Sequence, residues 1–130
     1  MSRVLTPPDT AEWQRRGTWF WSAHDLNAGP APLALDARGE ALLGDLELAF
    51  CSGAWTAVIL LAWALVESVE RGRLANGDDR PASPDVDWLR AQRNALAHGG
   101  TAAIDDQALR SAAEGAVRTC FKLLFAAAWR

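Results

Sequence analysis

Arg90, Arg93, Asn94 and His98 fall close together in the stretch Trp88-Leu-Arg-Ala-Gln-Arg-Asn-Ala-Leu-Ala-His-Gly-Gly100. At about 100° per residue on a helical wheel, with Arg90 at zero, Asn94 lies at about 40°, His98 at about 80° and Arg93 at about 300°. The four share one broad arc. Leu89 and Leu96 lie at about 250°, and Trp88 and Ala95 at about 150°, so the larger apolar residues gather mostly on the other side. Gln92 interrupts that side, and nothing in the sequence accounts for it. Two guanidiniums, an amide and an imidazole on one arc suit a phosphate. Arginine supplies planar, charge-assisted donors, histidine moves a proton near neutral pH, and asparagine can orient either one. By spacing alone, the pattern also fits a solvated helix face with His98 as a polar end.

These residues need a helix to hold them, and its signals are present. Ser83 caps, Pro84 takes the first turn, and Asp85 and Asp87 complement the dipole. Gly99-Gly100 stops it. Upstream, residues 1–8 read as a loose arm ending in Pro7-Pro8. Asp9 or Thr10 caps a helix from about Ala11, on which Trp13, Gly17, Phe20, Trp21 and His24 recur at helical spacing. The segment Asn27-Ala-Gly-Pro-Ala-Pro32 breaks it. From Asp36 the periodicity predicts a long helical stretch continuing through Ala54 to about Arg73, with Ser52-Gly53 either a kink or a point of close packing. Asn76-Gly77-Asp78-Asp79-Arg80-Pro81 reads as a loop. Asp105 or Asp106 opens a last helix striped by Leu109, Ala113, Val117, Cys120, Leu124 and Ala127.

Leu48 to Val66 carries no charge and is long enough to cross a bilayer. Acidic residues flank both ends (Asp45, Glu47; Glu67, Glu70). The other helices have apolar faces that need a partner, so a central bundle helix is the preferred reading and no membrane association is expected. The composition agrees with a helical domain: 26 alanines, 17 leucines and no tyrosine in 130 residues. A β-sandwich or doubly wound sheet is excluded on that ground. The expected architecture is all-α, a single domain over residues 1–130, built as an antiparallel bundle of four to five helices.

A net charge of −3 excludes nucleic-acid binding through the overall field, so any such contact is local. Cys51 and Cys120 are too few for a disulfide scaffold and sit in apolar stretches, which predicts buried thiols and a cytoplasmic setting. MSRVLTPPDTAEW has neither the apolar run nor the cleavage site of a secretory signal. His24 and His98 are the only histidines, and with no Glu-x-x-His pair no metal or other cofactor is expected. His24-Asp25 reads as a cap or surface pair.

Arg93-Asn94-Ala95-Leu96-Ala97-His98 resembles the R-x4-H motif of HEPN domains, with a polar residue straight after the arginine. Gly99-Gly100 resembles the glycine-ended form of that motif. Gly53 to Glu67 resembles the hydrophobic helix that precedes it in many members, and the order of apolar helix, loop, motif helix and closing helix is similar over residues 36–129. The Trp-rich first helix lies outside the resemblance.

The resemblance implies a small helical domain, usually dimeric. Many members are metal-independent endoribonucleases of toxin–antitoxin or antiviral defence systems, with one composite site where two motif helices meet across a two-fold axis. It implies His98 as general acid or base, Arg93 as the group stabilising transition-state charge, and Asn94 holding the two in register; Arg90, on the same arc of the wheel, is the expected substrate contact. RNA is then the substrate and a cognate antitoxin a partner. Glu67, closing the apolar helix, either pairs with a motif-helix arginine and orients it or is a solvated helix end. The apolar faces of the first and motif helices are the expected dimer seam. Other members have lost catalysis, so the alternative is a non-catalytic module for a protein partner or a nucleotide. The acids Asp78, Asp79, Asp85 and Asp87 beside the motif and seven tryptophans favour that alternative.

Overall fold

The computed structural model describes residues 6–30, 32–75, 83–98 and 105–127, apart from the side chains of residues 73–75, 98 and 127. Residues 1–5 of the expected arm, the expected loop at residues 76–81 and the glycine pair at 99–100 lie outside the described residues. Five helices follow in order: α1 (Thr10–Asn27), α2 (Ala37–Ser52), α3 (Trp55–Ala75), α4 (Pro84–His98) and α5 (Asp106–Ala127). Four of their starts carry a side-chain cap, which satisfies amide groups that have no partner inside the helix. Asp9 accepts from the Glu12 amide at 2.8 Å, Asp36 from Gly39 at 2.7 Å, Ser83 from Val86 at 3.3 Å and Asp105 from Gln107 at 3.3 Å.

The long helix expected from Asp36 to Arg73 is two helices. Gly53 adopts a left-handed conformation, φ +82°, which costs a residue with a Cβ about 1–2 kcal/mol. Its amide donates to Phe50 O at 3.2 Å, and the Ala54 amide donates to Ala49 O at 2.9 Å. This is a glycine C-cap of the Schellman type. Ala54 then starts the next helix through its carbonyl, which accepts from the Val58 amide at 3.0 Å. The uncharged run Leu48–Val66 is thereby folded back on itself. Among the described residues, no helix is long and apolar enough to cross a membrane.

α3 is the middle of the bundle and packs against α2, α4 and α5; α1 closes a four-helix ring by packing on α2 and α5. α4 lies outside that ring, over α3 and α5. Residue pairs give the directions. Gly17 faces Cys51 and Trp21 meets Glu47, so α1 and α2 are antiparallel. Glu12 meets Arg110 and Phe20 meets Phe121, so α1 and α5 run the same way. The interior is apolar, with no buried polar or charged residue among those described. Phe20, Leu46, Phe50, Ile59, Leu65, Leu89, Phe121 and Leu124 are its largest fully buried members. As expected for a helix covered by neighbours, α3 buries several directions of its surface at once: Trp55, Val58, Ile59, Ala62, Trp63, Leu65 and Val66 are all inside.

Candidate functional site

α4 is attached by one side and leaves the other for contact. Val86 and Leu89 enter the core. The Trp88 ring lies on Gly115 of α5, so close that a Cβ there would sit 2.9 Å from Cη2. Asp85 pairs with Lys122 of α5 at 2.9 Å. These contacts fix the rotation of α4 about its axis, and with it the direction of the motif residues.

Arg90 and Arg93, one turn apart, both lean onto Trp63 of α3. Each guanidinium carbon is 5.4 Å from the indole centroid. Trp63 itself is buried, so the ring is a fixed platform. A cation over an indole face is held without using its N–H donors. Arg90 has one long contact to Asp87, at 3.4 Å, and that carboxylate is itself well exposed. Arg93 has no carboxylate within ion-pair distance among the described residues, and its buried Nε has no hydrogen-bond partner. Such an unmade bond is costly unless something supplies the acceptor.

The structure brings together only part of the expected constellation. Asn94 is exposed and makes no hydrogen bond among the described residues, so it does not lock Arg93 to a neighbour. His98 is the last residue of α4, one turn beyond Asn94; its side chain lies outside the described part. Glu67 does not orient an arginine of α4. It pairs with Arg71 at 3.0 Å, because a residue one turn along the same helix is in easier reach.

The sequence alone gives Trp63 no role of its own. Its role as a platform belongs to a pattern: Trp55 carries Arg16 and Arg110 at 5.0 and 5.3 Å, and Trp19 carries Arg118 at 5.0 Å. The compositional signal was twelve arginines against one lysine beside seven tryptophans, since arginine stacks on aromatic faces better than lysine. The arginines of the Trp55 group have carboxylate partners, Glu12 for both and Glu114, at 3.8 Å, for Arg110. Glu12 accepts from Arg15 and Arg16 at 2.8 and 3.0 Å and meets Arg110 at 3.6 Å. Hydrogen bonding from Arg15, helped by the charge of Arg16 and opposed by slight desolvation, holds its carboxyl below the ordinary value of 4.5. Arg93 has no such counter-charge among the described residues.

His24 bonds Asp25 through Nδ1 at 2.9 Å, the surface pair expected, and its ring meets Phe121 and Phe125 edge-on. No group of three or more metal-ligating side chains occurs among the described residues. Compared with protein-family models, curated proteins and solved structures, the chain matches none.

Proposed function

We propose that this chain is a HEPN-like, metal-independent endoribonuclease of the toxin or defence type, acting in the cytoplasm as a homodimer. The observation that supports this reading is Arg93: stacked on Trp63 and without a carboxylate partner among the described residues. Its Nε is buried against the fold, so a phosphodiester oxygen would meet the terminal guanidinium nitrogens instead. Arg90 stands one turn away on the same platform, and its long contact to the exposed Asp87 exchanges readily for a phosphate. In the reaction, the RNA 2′-hydroxyl attacks the adjacent phosphorus and the 5′-oxygen leaves. His98 serves as base or acid, and Arg93 carries charge on the five-coordinate transition state. The products are a 2′,3′-cyclic phosphate and a 5′-hydroxyl. A two-fold axis beside α4 would bring two such sets around one phosphate, and a cognate antitoxin would cover them.

The test is RNA cleavage by purified protein in EDTA, with product ends identified. His98→Ala and Arg93→Ala should each lose about 10²–10³ in rate while keeping their helical circular dichroism. Cleavage unchanged in both variants would remove the proposal.

A second reading, a non-catalytic module for a protein partner, has its own support. Trp13, Trp21 and Leu48 are exposed on α1 and α2, remote in contact from the α4 arginines. Stoichiometric capture of one partner by a protein that neither binds nor cuts RNA would favour it.

A further inference from the structure

α1 and α2 do not close over each other completely. Between them lies a groove of about 720 Å³, walled by Trp13 and Trp21 of α1 and Leu48 of α2. Its floor is low because Gly17 has no side chain; the nearest atom to a Cβ placed there would be Cys51 Sγ, at 3.7 Å. The walls are presented to solvent: Trp13 and Trp21 are each 38% exposed and Leu48 58%. The two tryptophans are eight residues apart on one helix, about 12 Å along its axis. That is the spacing of two turns of a helix laid alongside.

Among the described residues, the charged ones lining the groove are Asp25 and Glu47, and no basic residue joins them. Glu47 is held in place by the indole N–H of Trp21. Asp25 is fixed by His24 at 2.9 Å and remains largely exposed. A trough with apolar walls, the uncharged polar side chains of Gln14, Thr18 and Ser22, and two anchored carboxylates selects its occupant by charge. A second copy of this chain would bring the same carboxylates against themselves across a two-fold seam, which opposes that pairing. An anionic RNA backbone or lipid surface is repelled for the same reason.

We infer that the α1–α2 groove is a docking site for a basic amphipathic helix of a partner protein. Apolar side chains one turn apart on that helix lie between Trp13 and Trp21, and its lysines or arginines reach Glu47 and Asp25. This does not depend on the nuclease reading, since neither Arg90 nor Arg93 takes part.

The probe is a fluorescein-labelled peptide of about 14 residues, roughly four helical turns, with leucines one turn apart on one face and lysines beside them. A companion peptide carries glutamates for the lysines. Binding is read by anisotropy across a salt series. The lysine peptide should bind, and the glutamate peptide should not. Leu48→Glu, at an exposed position that leaves the core intact, should weaken binding about tenfold. Glu47→Gln with Asp25→Asn should weaken it about fivefold and flatten its salt dependence. Asp45→Asn with Asp87→Asn, which removes as much charge elsewhere, should leave it unchanged. Gly17→Ala raises the floor while favouring the helix, so weaker binding by a more stable protein would separate occupancy of the groove from damage to the fold. Equal binding by all variants, or by both peptides, would overturn the inference. So would a wild-type dimer in sedimentation equilibrium that Leu48→Glu dissociates, because the groove's occupant would then be a second copy.

Discussion

Arg93 lies over the face of Trp63 with its guanidinium carbon 5.4 Å from the ring centroid, and Arg90 shares that ring at the same distance. One buried indole on α3 thus sets the position of two cations on α4. Replacing Trp63 with leucine keeps an apolar side chain in the core but removes the platform. The loss of the cation–π contact is about 1–2 kcal/mol. If the chain binds RNA as proposed, its affinity, measured by filter binding at fixed salt, should fall by at most about five- to thirtyfold, because the two guanidiniums lose their fixed position. Arg93→Lys should fall similarly, because an ammonium has no plane to stack and no Nε.

Gly53 decides whether a long apolar run is one rod or a hairpin. Its φ of +82° is unfavourable for alanine, and a Cβ would meet Arg16 Nη1 at 2.8 Å. That same nitrogen donates to Cys51 O at 3.1 Å, satisfying a carbonyl at the end of α2. Gly53→Ala should therefore cost about 1–3 kcal/mol. The urea midpoint should fall with an unchanged slope.

The carboxylate of Glu12 predicts a direction for acid sensitivity. Its pKa is lower in the folded chain than its ordinary value of 4.5, chiefly through Arg15. The charged form is favoured by folding, so its contribution is present above that value. It is lost as pH falls through the folded pKa. Between neutral pH and the acid range, the wild type should lose more stability than Glu12→Gln, measured as the difference in thermal midpoints. The contribution is small because the group is close to solvent.

Both thiols should be silent in the folded protein. Burial pushes Cys120 up to about 12, and Cys51 is raised by burial and by the charge of Glu47, with Arg16 opposing. A thiol reagent at pH 8 meets almost no thiolate at either site. Modification should follow the unfolded fraction as urea is added. A fast phase in native buffer would contradict the buried placement of both residues.

The helices were legible where capping chemistry and periodicity agreed. Asp9, Asp36, Ser83 and Asp105 all mark real starts, because a short acceptor before an apolar repeat has few other uses. The joint at Gly53 was half legible. A glycine in an apolar run permits a kink, a close contact or a left-handed stop, and only the fold around Arg16 and Trp55 selects among them. On α4, the wheel put Arg90 and Arg93 on one arc, and the two share the Trp63 ring. It gave no hint of Trp63, since cation–π partners from different helices carry no spacing signal. Glu67 misled because its nearest cation, Arg71, lay on its own helix.

The position of α3 has a consequence for how the chain is made. Its broadest packing is against α5, which is synthesised after it. At about 5–20 residues per second, α3 waits several seconds on the ribosome with the surface that packs on α5 uncovered. A nascent chain in that interval offers a sticky helix to chaperones and to the translocation machinery alike. The stop at Gly53 divides the apolar run into two shorter helices, so neither half alone offers such machinery the full length of Leu48–Val66.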